Sequence, residues 1–141
     1  MALIYYPRDA EVLECDFKGF IVPEMVKTRP VIIIGPRLRH RGDLVTIVPL
    51  STSPIENPKK WQVKVTFTKK PPPPFDADEA WAICDLVCSV SKQRLDRFRP
   101  PRPRYGQRPK WYSAAISKAD LKRVKYGVLC GLGMESLTNP P

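Results

Sequence analysis

The sequence predicts a mainly β domain finished by one C-terminal helix: a small curled antiparallel sheet or barrel of five to seven strands. Three observations carry this. Short β-favourable runs occupy residues 11–90 and are separated by Pro- and Gly-rich punctuation. The helical pattern comes last, where Leu121, Val124, Val128 and Leu132 recur at three- and four-residue spacing with Leu129 beside them. A chain of 141 residues with 43% hydrophobic content is the size of one domain with one core, spanning 1–141.

The elements follow in order. Glu11 to Phe17 (EVLECDF) is a first strand with partial alternation, and Lys18 to Thr28 is a loop. Pro30 to Ile34 and Asp43 to Leu50 are near-continuous apolar strands rich in Val and Ile, joined by the turn Arg37 to Gly42. Trp61 to Thr68 (WQVKVTFT) alternates strictly and predicts a half-buried strand. Lys69 to Pro74 (KKPPPP) lacks the N–H donors a sheet needs and reads as a polyproline II connector. Trp81 to Val90 is a strand region, either one strand or two with a break near Asp85. A Pro/Arg-rich loop covers about 97–112. Ser117 is placed as a helix N-cap with Asp120 at the third helical position, and Gly131 and Gly133 mark the end. The tail, 135–141, is expected to fray.

Charge and composition narrow the function. Residues 1–90 carry 12 basic and 11 acidic side chains, whereas residues 91–141 carry 12 basic and 3 acidic. A basic end favours an anionic partner, most simply a nucleic acid, over a merely solubilising surface. The longest purely apolar run, Val31 to Ile34, is far too short to cross a bilayer, and the N-terminus has no signal-peptide layout, so a cytoplasmic protein is expected. Cys15, Cys84, Cys88 and Cys130 are read as reduced core residues. Cys84 and Cys88 are four apart, with no second pair and no histidine following, so no metal site is expected.

The densest signal is Glu24 to Thr52. Arg29 precedes Pro30 at the mouth of an apolar strand, and the next core strand ends in Ser51-Thr52. Two strands joined by a turn bring their far ends together. A guanidinium beside hydroxyls is a phosphate-binding arrangement.

These residues resemble a known family. AEVLECDF (10–17) stands where the MazF/PemK/Kid toxin ribonucleases of bacterial toxin–antitoxin systems open with a strand similar to GDIYYVDL. Glu24 stands five residues before Arg29-Pro30, which opens PVIIIG. Val48-Pro49-Leu50-Ser51-Thr52 is similar to their VVPLTS. Cys84-Asp85, followed by SVSKQRL (89–95), is similar to their CDQ and TIDKQRL. The likeness covers most of residues 8–95 and 117–132. Ala10 replaces the usual glycine, and Ile83 stands where some members have arginine.

The resemblance implies an SH3-like barrel with a C-terminal helix. It implies sequence-specific, metal-independent cleavage of single-stranded RNA with no cofactor: the 2′-hydroxyl attacks the adjacent phosphate and leaves a 2′,3′-cyclic phosphate. It also implies a homodimer whose RNA groove is blocked by a cognate antitoxin. Residue by residue, Arg29 would stabilise the transition-state phosphate. Thr52, placed first, and Ser51 would bind or orient the scissile phosphate, and Asp85 would assist proton transfer. A surface ion pair with Glu24, strand-end capping and a buried hydrogen bond are the structural alternatives for these three positions. Arg37, Arg39, His40 and Arg41 in the hairpin turn, and Arg102, Arg104, Arg108 and Trp111 in the basic loop, are candidate RNA contacts. Two rival functions stay open: an inactive nucleic-acid-binding module, and a gyrase-directed protein-binding toxin on the same fold.

Overall fold

The computed structural model describes residues 3–35, 38–100, 105–107 and 110–141. Its strands are β1 (Glu11–Cys15), β2 (Arg29–Ile33), β3 (Leu44–Ser51), β4 (Gln62–Lys69), β5 (Glu79–Ile83), β6 (Cys88–Ser91), β7 (Leu95–Asp96) and β8 (Ala114–Ile116), followed by α1 (Lys118–Gly131). All pairings are antiparallel. Six strands close on themselves in the cyclic order β1–β2–β3–β5–β4–β8, the small barrel expected, while β6 pairs β3 and β7 pairs β1.

Side chains from all six closing strands fill the barrel: Val12, Ile32, Val48, Leu50, Val63, Val65, Ala80, Ala82, Ala114 and Ile116. The helix adds Leu121, Val124 and Val128 to the same core. A second apolar layer covers the outer face of β1–β2–β3, where Leu13, Cys15, Val31, Ile33, Val45 and Ile47 meet Val90, Leu95 and Phe17. β2 and β3 are therefore buried on both faces, which is why they read as continuous apolar runs and not as alternating ones. Burying each such Val or Ile contributes about 1.5–3 kcal/mol.

Trp81 to Val90 is two strands. Both pair with β3, but the register slips by three residues between Leu50↔Ala82 and Ile47↔Cys88. The extra residues form the 3-10 turn Cys84–Leu86. The slip falls beside Pro49, which has no N–H to offer a neighbour.

The helix starts where its cap predicts. Ser117 Oγ accepts the Asp120 N–H at 3.1 Å. Asp120 also accepts from Thr66 N–H of β4 at 3.0 Å and from Arg123 at 3.0 Å, fastening the first turn to the barrel. A Cβ on Gly127 would lie 2.8 Å from Cys84 Sγ and from Val63 Cγ2, so only glycine allows this approach of helix to barrel.

Four details differ from the sequence reading. Leu132 is 56% exposed and outside the core, because the helix ends one residue earlier. The Pro73–Pro74 bond is cis and Phe75 N–H bonds back to Pro72 O, so the proline run turns and does not continue as polyproline II. Glu135–Leu137 make a 3-10 turn held to Lys60 by the Glu135 carboxylate at 3.1 Å. β8 is a strand the sequence did not announce. No helix among the described residues is long and apolar enough to cross a membrane.

Candidate functional site

Arg29 opens β2 and Ser51 closes β3. The ladder between them pairs Ile33 with Ile47, Ile32 with Val48 and Val31 with Pro49. Continued by two residues, the same register sets Arg29 opposite Ser51. Opposed residues share a face, and Val31, Ile33 and Ile47 belong to the outer layer. Arg29 and Ser51 therefore sit on the outer side of the barrel at one rim. Strand alternation turns Thr52 the other way, so the register favours Ser51 over Thr52 as the hydroxyl beside the guanidinium. Thr52 itself is exposed.

The row extends further. Cys15 faces Arg29 in β1, Trp81 faces Ser51 in β5, and Lys64 faces Trp81 in β4. Lys64 Nζ lies 5.9 Å from the centre of the Trp81 ring. An aromatic face and two cations thus line up with a hydroxyl across the outside of the sheet. In the sequence Trp81 is one of four aromatics a base could stack on, with Trp61, Trp111 and Tyr112, and its place at the start of a strand reads as core or rim. The alternation of Ala80 and Ala82 about it decides for the rim, since those two point into the barrel.

Arg29 is half-buried, and its Nε is out of solvent with no hydrogen-bond partner among the described residues. Buried polar groups are rarely left so. Glu24 does not supply the partner: its carboxylate accepts the Ile21 N–H at 2.6 Å within its own turn. The ion-pair alternative for Arg29 is therefore not the arrangement found. Ser51 Oγ accepts the Ser53 N–H at 3.2 Å, which caps the strand end and leaves the hydroxyl proton free to be donated.

Asp85 is not buried in a strand. It lies in the 3-10 turn after β5, and its side chain is exposed, because the chain leaves β3 at that point. A Cβ on Gly131 would come within 3.1 Å of Asp85 Cα, so the turn is packed under the end of α1. Among the described residues no hydrogen bond or ion pair joins Asp85 to Arg29, Ser51 or Thr52. Ile83 is half-buried and leaves this strand end without a guanidinium.

The hairpin turn sits at the other end of β2 and β3, about 17 Å from Arg29 at 3.3 Å per residue. His40 is exposed there with φ 60°, and Arg41 donates to Ser89 Oγ. Arg39 and His40 line a small cavity of about 370 Å³ with Asp43. Within one chain these residues do not meet Arg29. Arg37, Arg102, Arg104 and Arg108 lie outside the described residues. Trp111 is half-buried and lines a cavity at the Arg29 rim together with Thr28.

All four cysteines are free; three are buried and Cys88 is half-buried. Burial pushes the Cys15 and Cys84 thiols up to about 12, which rules them out as thiolate nucleophiles at neutral pH. Among the described residues no group of three or more His, Cys, Asp or Glu side chains is placed to hold a metal ion.

The chain is similar in sequence and in fold to known proteins. A family model described as PemK-like, MazF-like toxin of type II toxin–antitoxin system matches residues 8–126. YifN of Escherichia coli (strain K12) is 31% identical over 144 residues, covering 88% of this chain and 95% of YifN. The fold is similar to a crystal structure of MazF from Deinococcus radiodurans, with TM-score 0.62 and 15% identity over 92% of this chain and 99% of that one. It is also similar to an endoribonuclease from a mycobacterial species, with TM-score 0.57 and 16% identity over 92% and 94% of the two chains.

Proposed function

The chain belongs to the PemK-like, MazF-like toxins of type II toxin–antitoxin systems, and on that premise we propose that it is an endoribonuclease acting on single-stranded RNA. The observation that carries this reading is the Arg29 guanidinium, held at the barrel rim with a buried and unpaired Nε in register with the Ser51 hydroxyl. A phosphate oxygen is the acceptor this arrangement suits. Arg29 neutralises the charge that grows on the phosphorane as the ribose 2′-hydroxyl attacks. Ser51 donates its hydroxyl proton to a non-bridging oxygen, and Thr52 follows on the exposed side of the same turn. The 2′-O–P bond forms, the P–O5′ bond breaks, and the products are a 2′,3′-cyclic phosphate and a 5′-hydroxyl.

The attacking 2′-hydroxyl must lose a proton and the leaving 5′-oxygen must gain one. In this reading Asp85 serves proton transfer. It lies outside the row of Arg29 and Ser51, exposed in the 3-10 turn after β5. The cognate antitoxin and a second copy of the chain are the partners proposed. Light scattering at tens of micromolar that gives only the 16.1 kDa monomer removes the dimer from the reading.

The purified protein is expected to cleave single-stranded RNA in excess EDTA. Arg29→Ala is expected to lower the rate by roughly a hundredfold, the loss of one preorganised donor. Equal rates for the two proteins remove Arg29 from the mechanism. One observation favours a second reading: Ile83 withholds the second guanidinium that some members carry. If RNA binds but no RNA is cut, the chain is a nucleic-acid-binding module on the same fold.

A further inference from the structure

Away from Arg29, the N-terminal segment, the start of β1, strand β8 and the first turns of α1 enclose a cavity of about 840 Å³, within the ~300–1,000 Å³ of small-ligand pockets. Glu11 opens β1 at this cavity, whereas Cys15, which faces Arg29, closes the strand four residues or about 13 Å further along. Small side chains leave the space: Ala10, Ala114 and Ala115 line it beside Ile116 and Leu121, and Tyr5 adds a wall. Ala115 pairs with Glu11 on the outer side of the barrel, because Val12 and Ala114 of the next pair belong to the inner core.

The acids and the cations around this cavity differ in what they have left to give. Both acids are spent. Asp9 Oδ1 accepts the Gly35 N–H at 2.6 Å, and its Oδ2 pairs with Lys125 at 3.1 Å. Glu11 accepts the Arg8 backbone N–H at 2.9 Å and the Tyr5 hydroxyl at 2.5 Å. Burial, then that bond, raises the proton affinity of the Tyr5 phenol, which stays neutral. The cations are not spent. Arg8, Lys118 and Lys122 line the same cavity, and among the described residues their side-chain charges have no hydrogen-bond or ion-pair partner. The Ser113 hydroxyl in the wall is likewise without one.

An apolar floor beneath unpaired cations selects a ligand class. Inorganic phosphate answers the charge but leaves the floor empty. A nucleobase buries edge donors and acceptors that one free hydroxyl does not satisfy. A metal ion finds no group of three or more His, Cys, Asp or Glu side chains among the described residues. An amine is repelled by the surplus cations. A carboxylate on a hydrocarbon body meets both requirements. The carboxylate takes charge-assisted hydrogen bonds, and the body leaves water for the alanine-lined floor.

We propose that this cavity binds a small organic acid, a carboxylate carried on an aliphatic or aromatic body. Arg8 and Lys122 hold the carboxylate, and Ala115 and Leu121 receive the body. The occupant ties the N-terminal segment and the C-terminal helix to β8, the strand that closes the barrel. The site needs neither Arg29 nor RNA, so it stands whether or not the chain cuts RNA.

Isothermal titration calorimetry of the full-length protein tests it, with octanoate as the probe and octanol, octylammonium and acetate beside it. Octanoate is expected to bind as one molecule per chain and to raise Tm. Its affinity is expected to exceed that of octanol about tenfold, the worth of a hydrogen bond to a charged group. Octylammonium and acetate are expected to give no saturable heat. In NMR spectra octanoate is expected to move the amide signals of Ala115 and Leu121 and to leave those of Arg29 and Ser51 in place. The double variant Arg8→Gln/Lys122→Gln changes exposed side chains that have no partner to lose, and is expected to lower octanoate affinity about tenfold with octanol unaffected. Ala115→Leu fills the floor and is expected to abolish binding of both; near-UV circular dichroism checks that it is folded. The site is overturned by the absence of saturable octanoate binding or by equal affinity for octanoate and octanol. Signal shifts centred on Arg29 and Ser51, or an octanoate affinity unmoved in the double variant, overturn it equally.

Discussion

Arg29→Met is expected to make the protein more stable while lowering RNA cleavage by roughly a hundredfold. Methionine has a similar length and no donor to strand. In the native protein the buried Nε has no acceptor among the described residues. A buried unsatisfied donor costs about 1–3 kcal/mol, and more when the group is charged. For 141 residues the unfolding entropy near the midpoint is about 0.3 kcal/mol/K, so relief of that cost raises Tm by about 3–10 °C. Differential scanning calorimetry at pH 7 measures it directly, and Arg29→Lys is the companion variant. Lysine keeps the charge but not the Nε position, so activity is expected to stay low. A non-cleavable RNA strand should raise the Tm of the wild type and not that of Arg29→Met. If Arg29→Met melts several degrees below the wild type, the guanidinium is a structural strut. The argument from an unmet donor then fails.

Four further outcomes follow from the geometry. Ser51→Ala is expected to lower kcat/KM about tenfold, the loss of a hydrogen bond to a charged group, with Thr52→Ala milder; equal losses refute the register argument. Asp85→Asn is expected to lower kcat about a hundredfold or more, the loss of a positioned proton-transfer group, and an unchanged kcat removes Asp85 from proton transfer. Gly127→Ala overpacks Cys84 and Val63 at about 1–3 kcal/mol, offset by about 1 kcal/mol of helix propensity; urea titration should show a net loss, and a gain refutes the close approach. Glu14→Gln is expected to raise stability at neutral pH. The native proton affinity of Glu14 is raised, so the wild type loses stability as pH climbs from the ordinary glutamate value through the native one, and the advantage of the variant should vanish below that window.

Much of this molecule was readable in advance, for identifiable reasons. β2 and β3 declared themselves because burial on both faces leaves only apolar residues to write. The helix start was legible because Ser117 and Asp120 form a local device. Arg29 stood out because the following proline fixes its backbone. What needs long-range register could not be read. Ser51 and Thr52 are separable only once Val31 is known to face Pro49. Asp85 looked buried because its neighbours are apolar, and the three-residue slip against β3 is invisible in a linear text. Ala114–Ile116 is too short and plain to signal a strand; β1 and β4 impose that conformation on it. Glu14 is an unremarkable letter in EVLEC until Asp96 arrives beside it from 82 residues downstream.

The closing of the barrel by β8 bears on the order of folding. Three residues, Ala114–Ile116, join β1 to β4, and they meet β1 across about a hundred residues of chain. The β2–β3 and β4–β5 hairpins need only local searches, so they can form early, and closure comes late. The Pro/Arg-rich segment before β8 is the tether of that late step. Doubling the length of such a tether costs only about 0.6 kcal/mol in closure entropy. A long basic loop can therefore be carried at this position with little effect on equilibrium stability, and its burden appears in the time the barrel takes to shut.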